Sequence, residues 1–201
     1  LALCFANNFN FFMFKMPSRS EIQVYAVMSL ISTFFFVTIY GYTNKLAETA
    51  VTKYHFYFDW ESAIPLVPGM ILVYMSLNIL TLMPLFTLNK EELLKLGYSF
   101  ILTTFIAGFI FYFFPAPVIF SRLSDLGFWS PFYNFIYSLD HVNNSLPSLH
   151  IAYSFLTVRS IYHSKNGKIF WLWFVLICLS VLLTHQHHVL DIAAGIVVAE
   201  F

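Results

Sequence analysis

His187 and Asp191 stand four residues apart in the stretch Thr184–Asp191, THQHHVLD, at the start of the last apolar run. Four residues make about one helical turn, so the two side chains share a face and the carboxylate can reach the ring. A carboxylate accepting from one ring nitrogen fixes the tautomer and leaves the other nitrogen as a nucleophile or base. Taken alone, this spacing is more often a structural hydrogen bond than a catalytic pair. It gains weight from a second polar island, Asn144–His150, NSLPSLH, which opens another apolar helix with Ser148 and His150 in it.

The rest of the chain has little room for such groups. Its 201 residues are 59% hydrophobic and 20% aromatic, and only 10% are charged. Soluble domains carry about 25% charge, so the composition predicts an integral membrane protein that meets membrane lipids. Net charge is zero, with no basic tail or patch, which excludes nucleic acid as a partner. The cysteines, Cys4 and Cys178, are not placed to pair. Spacings of two and one do not bring His185, His187 and His188 onto one helix face, and no carboxylate cluster accompanies them, so neither a metal nor a cofactor is expected.

About 20 apolar residues cross a bilayer, and runs near that size recur. The pattern predicts an all-α polytopic membrane bundle of about six transmembrane helices. Residues 1–20 read as an interfacial segment and residues 21–201 as one membrane-embedded domain. The first span is Glu21–Tyr42, opened by a Ser18/Glu21 capping box. The second is Ile64–Phe86, with prolines near both ends. The third starts from an Asn89/Glu92 capping box and stops at Pro115 and Pro117. The loop Ala116–Leu146 leads to a fourth helix near Pro147, a fifth over Lys168–Leu183 and a sixth from His187. Fifteen residues rise only about 22 Å, so the sixth span is expected to continue past Phe201.

With the first span starting in the cytoplasm, Lys15, Arg19, Lys90, Lys95, Arg159, Lys165 and Lys168 fall on one side, and Lys45, Lys53 and Arg122 on the other. The positive-inside rule favours that split. Both polar islands then emerge together on the outer face, toward periplasm, lumen or exterior. Asn143-Asn144-Ser145 fits a glycosylation sequon.

NSLPSLH resembles the P-S-x-H signature of the type 2 phosphatidic acid phosphatase superfamily, whose other main signature is S-R-x5-H-x3-D. Ser180, His187 and Asp191 match the Ser, His and Asp of the latter; Val181 stands where the signature has arginine, and K-x6-R-P is not found. Asp140 in D-x3-N-S-L-P-S-L-H, the arginine-free THQHHVLD and the segment DWESAIPLVPG resemble the branch near inositol phosphorylceramide synthase.

The resemblance implies a lipid phosphatase or head-group phosphotransferase whose substrate is a phospholipid or polyprenyl (di)phosphate. His187 would attack phosphorus to give a phosphohistidine, Asp191 would orient its ring, and His150 would protonate the leaving alkoxide. Ser148 and Ser180 would hold phosphate oxygens. With arginine absent at 181, Arg122 is the first choice of replacement cation, and Lys53 and His185 are the others. The alternative, motivated by Val181, is a non-catalytic lipid-binding or assembly subunit with the same fold.

Overall fold

The computed structural model describes residues 14–123, 125–139, 142–164 and 167–201. The segment 1–13, Asp140 and His141 lie outside them. Eight α-helices occur among the described residues: α1 (Arg19–Glu48), α2 (Ile71–Met75), α3 (Leu77–Leu80), α4 (Lys90–Phe113), α5 (Ser130–Leu139), α6 (Leu149–Ile161), α7 (Gly167–Leu183) and α8 (Val189–Val198). Strands are absent there; Ala116 and Asn144 form one isolated bridge.

Two helices begin at the expected capping boxes. Ser18 Oγ accepts from the Glu21 N–H while a Glu21 oxygen accepts from the Ser18 N–H at 2.7 Å. Asn89 and Glu92 make the same reciprocal pair at the start of α4. These boxes satisfy N–H groups that a helix start otherwise leaves open. Helices α1 and α4 run parallel, with Met28 against Gly97 and Ile39 against Gly108. A Cβ on Gly97 would lie 2.6 Å from Met28 Cε, so the missing side chains set how near the two helices approach.

Two parallel helices require a return crossing between them. It is made by residues 64–86, which do not form the continuous helix expected over Ile64–Phe86. Short 3₁₀ turns at Pro68–Met70 and Met83–Phe86 flank α2 and α3. Pro68 and Pro84 lack the N–H that would continue the ladder. Between α2 and α3, Ser76 Oγ bonds back to the Val73 carbonyl (2.6 Å) and accepts from Trp173 Nε1 of α7 (2.7 Å). Back-bonding serines bend helices, and here the bend is held by an indole.

Backbone hydrogen bonds join neighbouring segments at both ends of the bundle. The Val67 N–H meets the Leu183 carbonyl at one end, and the Lys15 N–H meets the Phe86 carbonyl at the other, where Arg159 also pairs with Glu200. Among the described residues, only α1 and α4 are long and apolar enough, as single helices, to cross a membrane. Helix α6, with 13 residues, rises about 20 Å. Where six spans are expected, the described residues hold two helices of spanning length and the shorter apolar helices Pro68–Leu80, Gly167–Leu183 and Val189–Val198. Ile71, Leu80, Ile151, Val158, Ile177 and Val181 form the buried centre, with α6 between α4, α7 and α8.

The segment expected as loop over Ala116–Leu146 contains α5. Its sequence places Phe132, Tyr133, Ile136 and Tyr137 on one face, and Tyr133 is fully buried. The ten-residue run is too short to stand out beside spans twice its length.

Candidate active site

The NSLPSLH loop is fixed to the end of α1 by side chains within that helix. Asn44 Oδ1 accepts from the Asn143 N–H (3.3 Å), and Asn144 Nδ2 donates to Thr43 Oγ1 (2.8 Å) and to the Tyr40 carbonyl (3.2 Å). Backbone pairing with the segment after α4 holds its other side: Ala116 N–H to Asn143 O at 3.0 Å and Ser145 N–H to Ala116 O at 3.0 Å. Lys53 Nζ donates to Asn143 Oδ1 (3.2 Å), so this cation braces the loop. Asn143 is 4% exposed, which closes the sequon to modification in the folded chain.

The second island comes to the first where α7 unwinds. His185 takes φ 59°, a left-handed conformation, and the Val181 carbonyl accepts from the N–H groups of Gln186 (3.0 Å) and His187 (3.2 Å). His187 Nδ1 then sits 3.1 Å from the Ser145 carbonyl and 3.3 Å from Asp191 Oδ2. Both neighbours are acceptors, so Nδ1 carries the proton and Nε2 keeps its lone pair. Asp191 Oδ2 also accepts from the His188 N–H (2.8 Å), capping α8. The Ser148 N–H, 3.1 Å from the Asp191 carbonyl, joins the two islands by main chain. Gly195 permits that approach: a Cβ there would lie 2.6 Å from the Ser148 carbonyl.

Two cavities meet at His187, and Tyr40 and Asn144 also belong to both walls. One is a small polar chamber of about 20 Å³ with Ser121, Arg122, Tyr137, His185 and Gln186. The other, about 230 Å³, is mostly apolar and contains His150, Tyr74, Ile136 and Leu139. Helix α5 therefore contributes to both.

The structure brings together His187, Asp191, His150, Arg122 and His185. His150 lies against Tyr74, ring centroids 4.0 Å apart, and its Nε2 donates to the Tyr74 carbonyl at 2.8 Å, next to the break between α2 and α3. Arg122 donates to the Tyr137 carbonyl (3.1 Å) and stacks its guanidinium 4.5 Å from the Tyr137 ring centre. His185 gives Nε2–H to the Ile64 carbonyl (2.9 Å) and stacks on Phe120, which ties it to the scaffold.

Ser148 and Ser180 line neither chamber. Ser148 is fully buried and caps α6 through the Ile151 N–H. Ser180, equally buried, donates to the Ile177 carbonyl within α7. The described residues contain no cluster of three His, Cys, Asp or Glu side chains able to hold a metal.

Residues 69–200 match the PAP2 superfamily. The chain belongs to the PAP2 superfamily. Nothing among curated proteins or solved structures matches it. Membership in the PAP2 superfamily places the chain among phosphatases and phosphotransferases with a lipid-phosphatase type of fold, a family mostly associated with membranes.

Within this PAP2 chain, Val181 is fully buried in the core, so the position of the signature arginine is filled here by packing. Two residues of the site were missed by sequence reasoning. Glu61, fully buried in the 3₁₀ turn Asp59–Ala63, accepts from His188 Nδ1 (2.9 Å) and from the Val189 N–H (3.1 Å) through Oε2, and from the Phe58 N–H (3.0 Å) through Oε1. His188 Nε2 accepts from the Ile119 N–H (3.3 Å), so its proton lies on Nδ1. The available signal was a pair of carboxylates, Asp59 and Glu61, in the segment DWESA.

Proposed function

We propose that this chain is a multi-pass membrane lipid phosphatase or head-group phosphotransferase that works through a phosphohistidine on His187, with its site on the extracytoplasmic face. The observation that carries the reading is the cradle of His187 Nδ1 between the Ser145 carbonyl and Asp191, which leaves Nε2 as the nucleophilic nitrogen. Its position in the wall common to an apolar and a polar chamber suits an amphiphile with a phosphate at its end.

In this reading Nε2 forms a bond to phosphorus as the bond from phosphorus to the lipid oxygen breaks. The negative charge of a bound phosphate draws a proton onto His150, which gives it to the departing alkoxide, and the again neutral ring takes a proton from the water or alcohol that next attacks the phosphohistidine. That second attack releases phosphate, or a new phosphoester, and restores His187. The phosphorylated ring with a proton on Nδ1 is cationic, and Asp191 stabilises it. Arg122, in the polar chamber, neutralises phosphate oxygens in place of the arginine that Val181 displaces. The lipid substrate falls within the class of phospholipid or polyprenyl (di)phosphates, and the arginine-free THQHHVLD resembles the inositol phosphorylceramide synthase-like branch.

The test is release of phosphate by purified protein from phosphatidic acid, phosphatidylglycerophosphate, a polyprenyl diphosphate and a ceramide phosphate, with vanadate as inhibitor. Turnover that falls by about 10³-fold or more in His187→Asn, and an acid-labile phosphoryl group on His187 of the wild type, are the expected results. Binding of these lipids without turnover of any of them would favour the non-catalytic lipid-binding subunit.

A further inference from the structure

A third cavity, of about 500 Å³, lies between α1, α3 and α4. It has Phe36, Leu77 and Asn78 in common with the apolar chamber beside His150, so the two hollows abut at those three residues. From Tyr40, in the wall at His187, to Ser32 in the further cavity is eight residues of one helix, about 12 Å along its axis. A phosphate held at His187 would therefore have a route for a long chain alongside α1.

The further cavity has polar residues in its wall, yet most of them turn their donors into the protein. Asn78 Nδ2 donates to the Met75 carbonyl, Thr81 Oγ1 to the Asn78 carbonyl and Tyr25 OH to the Thr81 carbonyl. The Tyr153 hydroxyl is 2.5 Å from Thr104 Oγ1. Such pairings leave methyl groups and ring faces toward the hollow, a surface that suits an aliphatic chain. Ser32 differs from these four. This residue is 9% exposed, and its buried hydroxyl has no hydrogen-bond partner among the described residues. A buried hydroxyl without a partner costs stability that a bound acceptor or hydroxyl would recover.

We infer that the cavity bounded by Ser32, Phe36 and Asn78 is the tail site of the enzyme: it takes the chain of a long-chain lipid phosphate, and the Ser32 hydroxyl favours a chain with a hydrogen-bonding group at that depth. This assignment rests on the proposed phosphatase reading, since it starts from a phosphate at His187. It makes Phe36 and Asn78 the constriction between head site and tail site, and it gives the bent return crossing a role. The break at Ser76 precedes Leu77 and Asn78, which form part of both cavities.

The experiment compares hexyl phosphate with hexadecyl phosphate on wild type and on Ser32→Phe, which fills the tail site. The ratio of kcat/KM for the long substrate over the short one should fall by about tenfold or more, the effect of losing as few as two buried methylenes. An unchanged ratio in a folded variant overturns the tail site. In parallel, a hexadecyl phosphate with a photoreactive group near its chain end is bound to wild-type protein, and the labelled residues are mapped by mass spectrometry. Labels on residues 25–36 and 77–81 support the assignment, and labels confined to the lipid-facing side of α4 overturn it. Mapping needs no turnover, so it decides the tail site even if Ser32→Phe does not fold. Absence of hydrolysis of both substrates by wild type would instead count against the phosphatase reading.

Discussion

Glu61 and His188, 127 positions apart, share a hydrogen bond of 2.9 Å between two fully buried side chains. Each is also bonded on its other side: Glu61 to the Phe58 and Val189 N–H groups, and His188 to the Ile119 N–H. The contact ties the entry to the return crossing, the segment after α4 and the first turn of α8. His187 is the residue next to it.

Glu61→Ala strips the partner from the His188 Nδ1–H, the Val189 N–H and the Phe58 N–H at once. Water can replace the partner at exposed Phe58, but the His188 and Val189 donors left open cost about 2–6 kcal/mol. Thermal unfolding in detergent should show that loss, and Glu61→Gln, which keeps a carbonyl oxygen at the same reach, should lose less. Equal losses for the two variants would mean that Glu61 acts by charge and not as an acceptor.

Asp191→Asn keeps the shape of the side chain and weakens its hold on the His187 proton. The expected outcome is a fall in kcat of about 10²–10⁴-fold with KM little changed. Single-turnover phosphate release measures the chemical step directly. A rise in KM alone would assign Asp191 to binding.

Gly195→Ala puts a methyl group 2.6 Å from the Ser148 carbonyl, where α8 crosses the start of α6. Overpacking of this kind costs about 1–3 kcal/mol, and it pushes Asp191 away from the loop that carries Ser145. Gly41 of α1 is the control, with nothing within 4 Å of an added Cβ. Gly41→Ala should stabilise by about 0.5–1 kcal/mol, so melting temperatures of the two variants should move in opposite directions.

Arg122→Ala should raise KM for a lipid phosphate by about tenfold or more, the worth of a charged hydrogen bond to the phosphate. Arg122→Lys should rescue it only in part, because the planar group also stacks on Tyr137. A KM unaffected by either change would remove Arg122 from the phosphate site.

The parts of the site that sequence reveals are those set by local spacing. His187 and Asp191 meet because one helical turn separates them, and both capping boxes form because three residues do. The convergence of the two polar islands was also legible, since an apolar chain has few ways to shelter such groups. What was not legible depends on contacts across the bundle. Glu61 reads as one more charge in a polar loop until α8 supplies its donors. The return crossing reads as one span because Ser76 looks like any small polar residue until Trp173 reaches it. Ser148 and Ser180 match a signature by type, yet both hydroxyls bond within their own helices' reach, where the first N–H groups or carbonyls lie nearest.

One of the two acceptors on His187 is the carbonyl of Ser145, a main-chain atom. No side-chain exchange can delete it, so half of the control over where the imidazole proton resides is written into the path of a loop. Erasing it would take a rerouted backbone, and the asparagines that pin that loop to α1 belong to the chemistry as surely as the ring they never touch.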